Sequence, residues 1–255
     1  QVDTILQKYL LEGSQIHVME YITQGEFGMV HRGRLVESNE VVAIKLCKLT
    51  DPKSLQSMKT EAAVQGSFVH KNVCALRAFC YDPLCLVLEW CNLGSLESVL
   101  ERKDLSDDVC WSIAGDIALG LQYLETKKYV HRDIAARNVL LTDDYTAKLS
   151  DFGMSRETEE GYYISKNLGK APVRWMAPEA IGAKFTAASD VWSYGILLWE
   201  LYSGGCTPYF TTDCMLETIE EVLTFILTGE KMPPPKTCTL TVSRIMELCW
   251  SFKPD

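Results

Sequence analysis

Eight consecutive residues, His131-Arg132-Asp133-Ile134-Ala135-Ala136-Arg137-Asn138, gather an imidazole, a carboxylate, two guanidinium groups and a carboxamide between a helical pattern and a short apolar run. Asp133 followed five positions later by Asn138 suits in-line phosphoryl transfer. The carboxylate orients an attacking hydroxyl, and the amide oxygen helps to hold a metal on the phosphates. Surface turns are rich in Asp, Asn and Arg. The loop therefore carries weight only if the chain also supplies, in order, a phosphate cradle, a lysine, a second metal carboxylate and a substrate platform.

Those parts are present. Thr23-Gln24-Gly25-Glu26-Phe27-Gly28-Met29-Val30 reads as a hairpin in which Gly25 and Gly28 let backbone N–H groups close over phosphate. Val42-Ala43-Ile44-Lys45 on the following strand ends in a lysine that reaches back to the nucleotide phosphates. A glycine turn or a strand ending in lysine means little alone; the order gives both their value. Asp51-Pro52 opens a helix, with an acceptor at the cap and proline in the first turn, that runs to about Ser67. Glu61 on that helix is placed to pair with Lys45 and hold it extended. Asp151-Phe152-Gly153 supplies the second carboxylate. Mg²⁺ takes one or two carboxylates plus phosphate oxygens, so a lone Asp151 and a lone Asn138 on adjacent loops fit it.

The elements that position these groups are legible in the periodicity. Strand signals cover His17–Ile22, Met29–Leu35 and Val41–Cys47, followed after the helix by apolar runs at Ala75–Tyr81 and Leu84–Trp90 broken at Asp82-Pro83. This predicts a small five-stranded sheet with one helix. Val2, Ile5, Leu6, Tyr9 and Leu10 share a helical face, so residues 2–11 are expected to form a flanking helix that docks its apolar side. Glu89-Trp90-Cys91-Asn92-Leu93-Gly94 reads as a connector whose backbone offers donors and acceptors to a purine edge, with Leu88 lining the back. The remainder is helical in character. Ser106 caps a stripe of Val109, Ile113, Ile117, Leu121 and Leu124 that leads into the opening loop, and short strands follow at Val139–Leu141 and Ala147–Leu149. Val191–Tyr202 reads as a buried helix, Gly229 ends another, and Leu240–Trp250 is the last.

Composition limits the alternatives. A chain of 255 residues with 47% hydrophobic and 23% charged residues is an ordinary globular sequence able to bury a large core. A net charge of -9 argues against a nucleic-acid surface, so a phosphate site must be a local cationic pocket. Ten cysteines without zinc spacing or a C-x-x-C pair suggest a reducing compartment. No run is long enough to span a bilayer and no signal peptide is present; any membrane attachment is expected through segments outside this sequence.

The ordered set of G-x-x-G-x-V from Gly25 to Val30, V-A-I-K ending at Lys45, Glu61, H-R-D-x-x-x-x-N from His131 to Asn138, D-F-G at 151–153 and Ala177-Pro178-Glu179 resembles a protein kinase domain over nearly the whole chain. The resemblance implies an α+β, two-lobed fold: a flank at 1–15, a small sheet lobe at 16–88 and a larger, mainly helical lobe at 89–255 that stops before its end. It implies ATP, with Val30, Ala43 and Leu140 around the adenine, Gly25 and Gly28 over the phosphates, Leu88, Glu89 and Cys91 at the purine edge, and Lys45–Glu61 on the phosphates. Asn138 and Asp151 would hold Mg²⁺, Asp133 would take the proton and Arg137 would offset charge. In the family, Asp190 braces the catalytic loop. An arginine beyond Asp255 would pair with Glu179.

The details resemble tyrosine kinases in particular. Ala135 stands where serine/threonine kinases carry a lysine, and the positive charge is moved to Arg137 in an A-A-R-N loop. Pro172-Val173-Arg174-Trp175 resembles their substrate platform, which holds the longer tyrosine side chain further from Asp133. Tyr162 and Tyr163, in a polar stretch at 157–170, resemble the activation-loop phosphorylation sites of the insulin receptor, with Arg132 and Arg156 as partners for the phosphate. The implied partners are ATP and tyrosine-containing proteins, with a transient dimer for trans-autophosphorylation and a cytoplasmic location. A-A-R-N occurs in receptor and non-receptor branches, and both stay open. Two departures feed a rival reading as a pseudokinase scaffold. Thr23 replaces the first glycine of the family pattern, and Gln65, four residues after Glu61, stands where the family usually places an apolar residue.

Overall fold

The computed structural model of the chain describes residues 2–24, 28–47, 51–102, 104–158, 160–166, 171–211 and 214–251. The fold is α+β, and the chain divides into two compact units, Gln1–Asn92 with Ser150–Gly153, and Leu93–Leu149 with Met154–Asp255.

In the first unit, α1 (Val2–Leu6) precedes β1 (Ile16–Gln24), β2 (Gly28–Leu35) and β3 (Val41–Cys47); α2 (Pro52–Gly66) then leads to β4 (Leu76–Tyr81) and β5 (Leu84–Glu89). The strands form one antiparallel sheet in the order β1-β2-β3-β5-β4. Strand alternation sorts its side chains. Val42, Ile44, Cys85 and Val87 pack on one face with Ile16, Ala78 and Cys80. Leu84, Leu86, Leu76 and Phe79 pack on the other against Met58, Ala62 and Ala63 of α2. Asp51 caps α2 by accepting from the N–H groups of Lys53 and Ser54, with Pro52 in the first turn.

The flank departs from the expected single helix. It is helical only to Leu6, and the backbone beyond runs along β4: Phe79 N–H donates to Tyr9 O at 2.7 Å and Leu11 N–H to Phe79 O at 3.0 Å. β4 is an edge strand, and an extended flank satisfies groups that a helix would leave unpaired. The docking itself is as expected. Leu6 is 1% exposed within the α2 cluster, Asp3 pairs with Lys59 at 2.6 Å, and the Tyr9 hydroxyl donates to Gly66 O at 2.9 Å.

The second unit contains β6 (Gly94–Ser95), α3 (Leu96–Arg102), α4 (Asp107–Thr126), β7 (Tyr129–Val130), β8 (Val139–Leu141), β9 (Ala147–Leu149), β10 (Arg156–Glu157) and β11 (Tyr162–Ile164). It continues with α5 (Pro178–Ile181), β12 (Lys184–Thr186), α6 (Ala187–Tyr202), β13 (Phe210–Thr211), β14 (Cys214–Met215), α7 (Ile219–Leu227) and α8 (Leu240–Cys249). Small sheets pair β6-β8-β9, β7-β10, β11-β12 and β13-β14. α4 buries Ile113, Ile117 and Leu124 at helical spacing. Ser106 stands at its N-cap without a capping side-chain bond, and Asp107 and Asp108 supply the negative charge that favours a first turn. α6 is buried along most of its length and capped by reciprocal Thr186–Ser189 bonds. Among the described residues no helix is long and apolar enough to cross a membrane.

Candidate functional site

In the first unit the antiparallel register puts Val30 opposite Lys45, Ala43 opposite Leu88 and Lys45 opposite Leu86. Side chains alternate, so Val30, Ala43, Lys45 and Leu88 lie on the face that packs on α2, away from Val42 and Ile44. From there Lys45 Nζ donates to Glu61 Oε1 at 2.7 Å and lies 3.4 Å from Asp151 Oδ1. Burial by itself would lower the Lys45 ammonium, but Glu61 and Asp151 outweigh it and raise it, so the lysine is held charged. Asp151 takes a positive φ of 59°, a strained choice for a non-glycine residue, and accepts the Gly153 N–H at 3.4 Å. Phe152 is fully buried against Phe68, with ring centroids 5.3 Å apart.

Gly28 is demanded by packing: a Cβ there would lie 2.1 Å from Leu46 O on β3. Gly25 lies outside the described residues. Thr23 lies on β1 and pairs with Val30, just past a register shift between Tyr21 and Thr23. Glu89, at the end of β5, is tied to the residue that precedes β4, donating its N–H to Ala75 O at 2.9 Å and accepting the Ala75 N–H through its carboxylate at 3.2 Å. Cys91 is buried. Gln65 is fully buried and donates its amide to Cys74 O at 2.8 Å, while its Oε1 has no hydrogen-bond partner among the described residues.

The second unit assembles the opening loop. The backbone N–H groups of His131 and Arg132 donate to Asp190 on α6 at 2.6 and 2.9 Å, and Arg132 takes φ 73° to do so. Both carboxylate oxygens of Asp133 are engaged: Oδ1 by Arg137, Oδ2 by the Asn138 amide at 2.7 Å. The Arg137 guanidinium stacks 4.3 Å over the Trp175 ring. Leu140 lies on β8, opposite Ser95 and Lys148.

The 3₁₀ turn Val173–Trp175 follows Pro172, and Ser193 on α6 donates to Trp175 O at 2.7 Å. Arg174 behaves differently from an exposed platform residue. Its guanidinium donates to Pro208 O at 2.8 Å, Leu216 O at 3.2 Å and Glu217 O at 3.3 Å, tying down the segment that carries β13 and β14. Tyr162 and Tyr163 also differ from the open polar loop expected: they sit on β11, opposite Thr186 and Phe185. Arg132 lies 5.0 Å from the Tyr163 ring and 4.1 Å from that of Phe185, and donates to Met154 O and Ser165 Oγ. Burial, then nearby Arg156, holds its guanidinium below the ordinary value.

The family described as protein tyrosine and serine/threonine kinase matches residues 16–255. The chain belongs to that family. Among curated relatives of this kinase domain, the tyrosine-protein kinase transforming protein Fps of avian sarcoma virus (strain PRCII) is 38% identical over 256 residues, covering 97% of this chain and 47% of the relative. Human tyrosine-protein kinase Fer is 36% identical over 259 residues, covering 98% and 30%. The Fps protein of Fujinami sarcoma virus is 38% identical over 256 residues, covering 97% and 28%. The chain thus spans less than half the length of these relatives. Membership in the kinase family implies ATP as a substrate. The flank, with Leu6 in the α2 core, lies outside the matched residues.

One functional candidate was invisible to motif reading. Glu200 on α6 is 5% exposed, and its Oε2 accepts from Ala136 N–H at 3.0 Å and from Trp175 Nε1–H at 2.9 Å. Burial pushes its carboxyl up to about 7, against the lowering effect of those two bonds and of Arg137. The only sequence signal was a single charge inside the apolar run Val191–Tyr202.

Proposed function

We propose that this chain is the catalytic part of a protein tyrosine kinase that transfers the γ-phosphoryl of ATP to tyrosine hydroxyls in proteins, with lobes at 16–88 and 89–255. The observation that carries the reading is the Asp133 cluster, a carboxylate gripped by Arg137 and Asn138 in a loop braced by Asp190. Asp133 orients the phenolic hydroxyl and accepts its proton, and Arg137, held on Asp133 and Trp175, offsets charge on the transferring group. Lys45, fixed by Glu61, holds the phosphates. Gly25 and Gly28 cover them, and Val30, Ala43, Leu88, Glu89, Cys91 and Leu140 receive the adenine. Asp151 carboxylate and Asn138 carboxamide oxygens are hard donors that fit Mg²⁺, which when bound neutralises phosphate charge. Pro172, Val173 and Trp175 form the acceptor platform, and Arg174 supports it from behind.

Tyr162 and Tyr163 are the proposed regulatory acceptors, modified in trans within a transient dimer, with Arg132 and Arg156 receiving the phosphate. A cytoplasmic location is supported by ten free thiols, including Cys80 and Cys85 directly opposed across β4 and β5. Membrane attachment, if the full protein has it, belongs to other segments.

The scaffold alternative has one observation behind it, the Oε1 of Gln65, one turn after Glu61 on the same helix, which has no hydrogen-bond partner among the described residues. A peptide array offering Tyr, Ser and Thr acceptors decides among the readings. The proposal expects phosphate on Tyr peptides only, and loss of a single group such as Asp133 by Asp133→Asn to raise the barrier by about 3 kcal/mol or more. Labelling of Ser and Thr peptides, or of none with nucleotide still bound, contradicts it.

A further inference from the structure

We propose, on the kinase reading above, that Glu20, Arg32 and Trp90 form a clasp that positions the connector for the purine. Arg32 and Trp90 are then positioning residues that set nucleotide affinity from the purine end.

The strand register puts Arg32 among the adenine residues. Arg32 is directly opposite Ala43, and Ala43 is directly opposite Leu88, so the three side chains share a row on one face of the sheet. Val30, two residues before Arg32 on β2, lies on the same face. At the connector the Arg32 guanidinium stands 5.6 Å from the centroid of the Trp90 ring. Trp90 lies between Glu89 and Cys91, whose backbone groups are the proposed purine contacts. A hold on its ring therefore steadies the backbone on both sides.

β1 supplies the counter-charge through an irregularity. Val18 pairs with Gly33 and Tyr21 with His31, so Met19 and Glu20 together oppose the single residue Arg32. Such a bulge bends its strand and re-aims a side chain. Here Glu20 Oε1 lies 2.9 Å from Arg32 Nη1. The Arg32 Nε–H is buried with no hydrogen-bond partner among the described residues, a cost that a freely solvated arginine would avoid. Ring and carboxylate together hold the guanidinium there in spite of that cost. Each contact is modest alone, which suits a device that tunes affinity and does no chemistry.

The test is steady-state phosphorylation of a tyrosine peptide by the whole chain carrying Arg32→Met, Trp90→Leu, both changes or Trp90→Phe, with adenosine as competitive inhibitor. Arg32→Met keeps an aliphatic stem and removes the charge; Trp90→Leu keeps apolar bulk and removes the ring face. Each should raise the KM for ATP about fivefold, with kcat and the peptide KM changed less than about twofold. Both act through one contact, so the double variant should be within about twofold of either single variant. Trp90→Phe retains a ring face and should stay within about twofold of the wild type. The Ki of adenosine should rise by the same factor as the KM for ATP, because the clasp acts at the purine end.

A loss for ATP with adenosine unchanged would mean that Arg32 attracts phosphate charge, and would overturn the proposal. So would an unchanged KM for ATP, an equal rise in the peptide KM, losses that multiply in the double variant, or Trp90→Phe as damaging as Trp90→Leu. A wild type that labels no peptide overturns the kinase reading alone. The rise in Tm on adding ATP or adenosine then carries the same comparison, and variants that match the wild type's rise, or a wild type with none, overturn the clasp as well.

Discussion

Lys45 Nζ and Glu61 Oε1 stand 2.7 Å apart with side chains 12% and 4% exposed, a nearly dry ion pair between β3 and α2. Such a pair is weak support for stability but severe to break, because the surviving charge has no water to replace its partner. Lys45→Met should therefore destabilise the chain by about 3–5 kcal/mol in urea unfolding. Lys45→Met with Glu61→Leu should recover most of that loss and remain inactive. Equal destabilisation in both would mean that the pair's packing, and not its charge, is what matters.

Glu200 gives stability a pH dependence of definite sign. Its carboxyl titrates near 4.5 when unfolded and at about 7 when folded, so between these values the native state binds the extra proton. Stability from this residue is then highest below pH 4.5, falls as pH rises through 7, and is level above. The total is on the order of 3 kcal/mol. Subtracting the Glu200→Gln profile from that of the wild type across pH 5 to 8 isolates the effect. A flat difference would show that the residue is solvated.

The flank should behave as core. Leu6 lies in the same buried cluster as Met58 and Ala62, on the helix that carries Glu61. Leu6→Ala should cost about 2–5 kcal/mol by transfer and cavity terms, far more than the about 0.5 kcal/mol of an exposed site. Thermal unfolding measures it directly. A change within 0.5 kcal/mol, about the surface value, would mean that the flank detaches in solution.

What could be read in advance was what is local. β3 and β8 were legible to the residue because each is a short apolar run set off by polar or turn residues, and α2 to within a residue because Asp51-Pro52 caps it. The flank's turn at Leu6 was not legible, since Tyr9–Leu11 is extended by an edge strand about seventy residues away, against its local periodicity. Tyr162–Ile164 becomes a strand only because Lys184–Thr186 lies beside it. The Asp133 loop was legible because its groups sit in eight consecutive residues. The use of Arg174 on distant carbonyls and the Glu200 link were hidden, because each joins residues far apart in sequence.

The central claim is chemistry at Asp133, and mass-spectrometric mapping of phosphate after incubation with MgATP tests it most directly. Wild type and Asp133→Asn would be run side by side. The account predicts phosphate on Tyr162 or Tyr163 in the wild type and none in the variant. No label in either protein, or equal label in both, would contradict it.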